Sequence, residues 1–495
     1  MITQQKKPQR TQRALRKRSL CDLRALRGFF WILILIVTGL QTRSSAHVGS
    51  PDIFVEGQAG AYRLLVTVRP PHAIPGVADV DILATSDDIR DVRIVPLPLT
   101  GPGAQFAPVA DHTVRSAEDP RLFNGHLWLM SAGAWQVRVS VAGERGDGTL
   151  SVPVPTLPQS TLAMSPVLKA TLLFLMLLLA AGFIGIVSAL AREAGLETAA
   201  PLDRRARIRG WIAGAAAFVV VCVIVFLGNT WWTAEASSYD HYVYKPLNGT
   251  PTVTDDSRLK LYLQDPGWIA SRRLDDFVPD HGHLMHLFIV SPSLDRLWHL
   301  HPDETATGTF EQRLPDVPAG QYELFADLVH ATGVSETVTG PFTAAAIHGT
   351  PLTGDDSAWS GTHADSGHIV WVRDGKPLAT KKLTLFTFRV EDEDGQPARD
   401  LELYMGMPGH AIFVKRDRKV FAHVHPSGSA PMAAMAIAMP MDAEHAHHNM
   451  TMPEPATLST VTFPYGFPEA GDYRIFVQVK RAGRVITGVF DATVP

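Results

Sequence analysis

The chain of 495 residues is 46% hydrophobic and 19% charged, with a formal net charge of −4 and a pI near 6.6. This composition excludes a disordered or collagen-like chain, allows several buried cores, and supplies no basic field for nucleic acid. Of the two cysteines, Cys21 precedes the first apolar run and Cys222 lies inside a later one, so no disulfide or thiolate metal site is expected. Any metal would need histidine, methionine or carboxylate.

In chain order, Lys6, Lys7, Arg10, Arg13, Arg16, Lys17, Arg18, Arg24 and Arg27 precede the apolar run Phe29 to Leu40 and the small triplet Ser44-Ser45-Ala46. That pattern predicts a signal peptide over 1–46, because about 12 apolar residues are too few for a span of roughly 20. Two later stretches, 167–191 and 211–232, are long and apolar enough to cross a bilayer. The loop 192–210 between them carries Arg192, Arg204, Arg205, Arg207 and Arg209, and Trp211, Trp231 and Trp232 stand at the ends of the second span. The loop is therefore expected in the cytoplasm, and 47–160 and 233–495 outside it, facing the periplasm of a cell with this inner membrane. Neither span has an ionisable residue at its middle, so anchors are expected rather than a transport path.

Residues 47–160 alternate apolar and polar positions in Tyr62-Arg-Leu-Leu-Val-Thr-Val68 and Trp135-Gln-Val-Arg-Val-Ser-Val141. With Pro and Gly between short runs, they predict an Ig-like β-sandwich. The fold expected for the whole chain is thus mainly β, with Ig-like sandwiches outside a membrane and two transmembrane helices.

The remainder contains a repeat. Leu284-Met-His-Leu-Phe-Ile-Val…Trp298-His-Leu-His-Pro302 aligns without gaps on Pro408-Gly-His-Ala-Ile-Phe-Val…Ala422-His-Val-His-Pro426, and Gly320-Gln-Tyr322 matches Gly471-Asp-Tyr473. Two β-sandwich copies are expected at 233–346 and 368–495, joined by a Gly/Thr/Asp/Ser-rich linker at 347–367. The His-Pro and Gly-x-Tyr landmarks are 18 residues apart in the first copy and 45 in the second. The difference is an insertion at 427–455 that holds Met432, Met435, Met439, Met441, Met450 and Met452 with His445, His447 and His448.

Alternation along a strand places His299 with His301, and His423 with His425, on one face. His286 and His410, each 13 residues earlier, join them if the intervening hairpin loop has an even count, and turn away if a three-residue bulged loop intervenes. Imidazole suits Cu(II) and Zn(II), and thioether selects Cu(I), so three imidazoles per copy and a Met/His-rich insertion point to copper, with zinc as the alternative. His281 and His283 could add ligands to the first site, or lie in a solvated loop. The same histidines could instead bond main-chain carbonyls, and the methionines could pack as core. Cleavage after Ala46 would make His47 an N-terminal chelate, and Ala46-His-Val-Gly-Ser-Pro51 looks like the mature start of CopC-type copper proteins, without their second histidine.

No Gly-x-Ser-x-Gly elbow, His-Glu-x-x-His helix or phosphate-binding loop is present, so an enzyme is not expected. His-Leu-His-Pro-Asp-Glu304 suggests a cupin-type metalloenzyme only faintly. The tandem modules resemble a group of bacterial envelope proteins whose modules often accompany heavy-metal-binding domains, and the first region resembles FixH or YtkA-type Ig-like domains through Leu127-Trp-Leu-Met130 and Trp135-Gln-Val-Arg-Val139. The resemblance implies an envelope architecture, a metal association and an envelope protein partner. A non-enzymatic interaction module, with histidines serving the fold, is the competing expectation.

Overall fold

The computed structural model describes residues 52–162, 164–195, 202–268, 272–361, 368–439 and 459–495. The predicted signal peptide, His47, Met441, His445, His447, His448, Met450 and Met452 lie outside the described residues.

Residues 53–156 form two antiparallel sheets packed face to face. Alternation fills the space between them: Leu64, Val66 and Val68 from one sheet meet Val137, Val139 and Val141 from the other, all essentially solvent-free. Helix α1 (Pro166–Glu193) follows, with Ser165 Oγ accepting from Leu168 N at 3.3 Å and Pro166 opening the first turn. Helix α2 (Arg204–Tyr239) packs against it, and Asp203 Oδ1 accepts from Ala206 N at 2.6 Å at its start. Both are long and apolar enough to cross a membrane, and their side chains are largely unburied by protein. They exceed the predicted spans at each end, because the arginines of the expected loop continue helically into α2. Close approach of the pair rests on Gly210 and Gly214 against Ser188, whose Oγ donates to Gly210 O at 2.9 Å.

Each histidine-bearing module contains a larger sheet with the same strand order. In the first it runs Ser335–Ala344, Gly320–Val329, Met285–Val290, Arg296–Leu300; in the second, Arg484–Val494, Gly471–Arg481, His410–Lys415, Phe421–Val424. A smaller sheet closes each sandwich. The sheets end in edge strands, so among the described residues the closed barrel of a cupin is not formed.

The strand Met285–Val290 is buried at every position, as is His410–Val414. The cause is packing on both faces. Met285, Leu287 and Ile289 enter the first module's own core, whereas Phe288 and Val290 meet Ile412, Val414, Phe421 and Phe476 of the second module. The two large sheets therefore sit back to back. Phe325 and Phe421 stack across this interface at 4.3 Å between ring centroids, and Arg474 donates across it to Leu294 O at 2.9 Å.

Two expectations need correction. The stretch 347–367 is not simply a linker: Ser357–Ser360 adds a strand to the first module's sheet, pairing His299 with Ser357, since a vacant edge beside Arg296–Leu300 offers unpaired backbone groups. The described part of the methionine insertion is not a loop alone. Met432–Ala438 is a short helix, α3, and Met435 is buried in the core of the first β region. Thioether is apolar enough to fill that core, and Met432 Sδ accepts from Ser427 Oγ at 3.2 Å. Met439 is the residue that ends α3. The first β region is tied here as well, through Glu56 N to Ser427 O at 2.7 Å and Phe54 N to Ser429 Oγ at 3.0 Å.

Candidate metal centre

The hairpin registers settle which face each histidine takes. In the first copy Val290 pairs with Leu297 and Phe288 with His299; in the second Val414 pairs with Phe421 and Ile412 with His423. Both loops between paired ends hold an even number of residues, with Leu294 and Arg418 at matching positive φ of 56° and 62°. His286, His299 and His301 consequently project to one side, as do His410, His423 and His425. That side is the back face buried between the modules.

All six rings are nearly or wholly removed from solvent. His286, His299 and His301 offer ring nitrogens within 4.8 Å of one another, and so do His281, His410 and His425. His281 thus joins the second copy's histidines rather than those of its own hairpin, at ring-centroid distances of 5.1 Å from His410 and 4.7 Å from His425. His283 stays with its own copy, stacked on His301 at 4.0 Å, and sits partly exposed at the rim beside Asp355 at 3.5 Å. His423 joins the two triads: its ring lies 5.2 Å from His286, 5.7 Å from His299 and 5.2 Å from His410.

Hydrogen bonds fix the tautomers. His286 Nε2 lies 3.1 Å from Asp280 O, and His299 Nδ1 lies 2.8 Å from Gln478 Oε1. A carbonyl oxygen only accepts, so each of these nitrogens carries its hydrogen. Gln478 is oriented by its amide nitrogen, which donates to Ser357 Oγ at 2.8 Å. The opposite nitrogens, His286 Nδ1 and His299 Nε2, are then lone-pair acceptors facing each other at 3.2 Å. The second copy repeats the geometry and fixes one of its two tautomers: His410 Nε2 donates to Tyr404 O at 3.1 Å, which leaves His410 Nδ1 as a lone-pair acceptor facing His423 Nε2 at 3.0 Å. His423 Nδ1 lies 3.5 Å from Asp327 Oδ2. Two acceptors in contact repel unless a cation lies between or beside them. Two imidazole nitrogens on one tetrahedral ion stand about 3.4 Å apart, from a metal–nitrogen bond of about 2.1 Å.

The third ring of the first triad is held the same way. His301 Nδ1 donates to Asp356 Oδ1 at 2.9 Å, while its Nε2 is buried with no hydrogen-bond partner; His281 Nε2 and both ring nitrogens of His425 share that condition. Carboxylate or carbonyl on one ring nitrogen and a free lone pair on the other is the arrangement that orients and strengthens a metal ligand. Burial holds the His286, His299, His410, His423 and His425 imidazoles well below the ordinary range, neighbouring imidazoles adding to the effect, and it pushes His301 down to about 3. At neutral pH these rings are uncharged, the state in which imidazole binds a metal.

Sequence reasoning missed the groups behind the rings. Asp280, Asp327, Asp356 and Gln478 are distant in sequence from the histidines they serve, apart from Asp280. A further pair was legible: Tyr404-Met405-Gly406-Met407 occupies the position of Asp280-His281-Gly282-His283 in the repeat, with His281 and Met405 at φ of 52° and 51°. Met405 and Met407 are buried. Both turns close with the same bridge, Asp280 to His283 and Tyr404 to Met407.

Among curated proteins no match is found. Solved structures similar to this chain include a biofilm-associated protein BSP domain at 7% identity and a TM-score of 0.15, covering 93% of this chain and 69% of that one. A protein of Corynebacterium diphtheriae described as membrane anchored has 10% identity and a TM-score of 0.16, with 90% and 94% covered. An ICAM-5 ectodomain fragment has 8% identity and a TM-score of 0.14, with 86% and 74% covered. The likeness of the first region to FixH, YtkA and CopC proteins is not carried by these matches. One family model, described as a domain of unknown function (DUF8832), matches residues 237–346 and 362–495, the stretches that hold the two histidine-bearing modules.

Proposed function

We propose that this membrane-associated protein with Ig-like β domains binds transition-metal ions, copper foremost, outside the cytoplasm of a bacterial-type cell, anchored in the inner membrane by α1 and α2. The observation that carries the reading is the pair of facing lone-pair nitrogens in the first copy, His286 Nδ1 and His299 Nε2 at 3.2 Å, each backed by a donor bond on the far side of its ring, with the same close approach of His410 Nδ1 to His423 Nε2 at 3.0 Å in the second copy. An all-imidazole donor set without thiolate suits copper or zinc. The arginines at the adjoining ends of the two helices support a cytoplasmic connection and hence an outward-facing centre.

The reading in which the histidines serve only the fold draws on the same bonds, because His286 and His410 do engage main-chain oxygens. Titration separates the two. Full-length protein in detergent is titrated with Cu(I), Cu(II) and Zn(II) against competing chelators, alongside His299→Ala/His423→Ala and the milder His301→Gln. Tight, saturable binding that weakens at least tenfold in His301→Gln and is lost in the double variant supports the proposal. Unchanged binding in a folded His301→Gln protein overturns it, and lowered thermal stability with untouched metal affinity establishes the structural role instead.

A further inference from the structure

Building on the metal-binding reading, we infer that the two triads form one two-ion centre that loads cooperatively, because each module supplies the groups that complete the other module's triad.

The crossing is visible in the sheet registers. Gln478 pairs with His410 in the second module's sheet, yet its side chain accepts from His299 of the first. Asp327 pairs with His286 in the first module's sheet, yet its carboxylate faces His423 of the second. His281, from the turn of the first module, supplies a ring nitrogen to the group containing His410 and His425. The first triad is thus oriented from the second module, and the second draws both a ligand and a carboxylate from the first. An ion at either triad fixes the back-to-back docking that the other requires, so the first binding event removes part of the ordering cost of the second.

Charge points the same way. Asp327 and Asp356 stand behind His423 and His301, while the eight rings around them, His283 included, form one continuous cluster. Two carboxylates, one behind a ring of each module, form a surround that favours more than one buried cation. The ions belong to the class that accepts three nitrogen donors, Cu(I), Cu(II) or Zn(II).

The test is native mass spectrometry of the full-length protein in detergent micelles, titrated with Zn(II) or Cu(I) alone. The inference expects saturation at two ions with the one-ion species depressed below its statistical share, corresponding to roughly tenfold tighter binding of the second ion. Gln478→Met, which removes the acceptor on His299, weakens loading of both ions roughly tenfold, and Gln478→Glu, which restores an acceptor, recovers it. Saturation at one ion, or independent statistical filling of two, overturns this inference while leaving metal binding intact. Failure to bind any ion overturns the underlying reading instead.

Discussion

Replacing Phe288 by alanine tests whether the interface between modules shapes the histidine cluster. Phe288 is fully buried, stacks on His299 at 4.2 Å between centroids, and touches the rings of His423 at 5.0 Å and Phe421 at 5.2 Å. A fully buried Phe→Ala change costs about 4 kcal/mol through lost burial and the cavity left behind. For a module pair of this size that corresponds to a fall of roughly 10 °C in melting temperature. The matched control is Phe386→Ala, a fully buried ring confined to the second module's own core, where the stability loss is similar. The two should separate in metal affinity. Phe288→Ala removes the wall that holds His299 and His423, and is expected to weaken binding about tenfold, the scale of losing one supporting group. Phe386→Ala leaves affinity unchanged. Calorimetry paired with chelator competition reads both quantities, and equal metal affinities in the two variants at matched destabilisation would refute the idea that this interface positions the ligands.

Acid weakens the fold through the same histidines. His301 titrates near 3 in the folded protein and near 6.5 unfolded, so the unfolded chain binds more protons between those values and stability drops as pH falls; from pH 6.5 to 4.5 this ring alone removes roughly 2 kcal/mol, measurable by urea unfolding at each pH. Bound metal should raise stability by the same amount at each pH above 5.5 and leave the slope unchanged, because the folded ring is already neutral there and the unfolded ring titrates as before. Arg474→Met removes the buried cross-module bond to Leu294 O and the pair with Asp491, and is expected to destabilise by about 1–3 kcal/mol in denaturant titration while the first β region still unfolds at its own midpoint. Gly210→Leu places side-chain carbons where a Cβ already meets Arg192 Cβ and Ser188 O at 3.1 Å, so α1 and α2 must separate. Cysteine cross-linking between the two helices in membranes should fall severalfold, whereas Gly228→Leu, with open space around it, leaves cross-linking unchanged.

The β modules were legible because alternation and the repeat both constrain them. Met285–Val290 shows where that signal stops: an uninterrupted apolar run announces burial on two faces, but the identity of the second face is a docking between modules that no local pattern encodes. The convergence of His286 with His299 and His301 hung on loop parity, a single residue deciding the face of a ring. His281 was placed with the wrong copy, because proximity in sequence assigned it to the hairpin five residues on, while the fold carries its turn across the interface to His410 and His425. Gln478 lies 179 residues from His299, and its supporting role follows from the crossing of the sheets rather than from any motif. The insertion was ambiguous for a different reason. Methionine serves both copper and cores, and Met435 went to the core of the first β region.

X-ray absorption of the copper-loaded, full-length protein tests the central claim most directly. The account predicts at least three nitrogen scatterers per ion at about 2.0–2.1 Å with the outer-shell pattern of imidazole rings, reduced when His299 and His301 are replaced together. A shell built from oxygen alone, or an imidazole count untouched by those replacements, would contradict it.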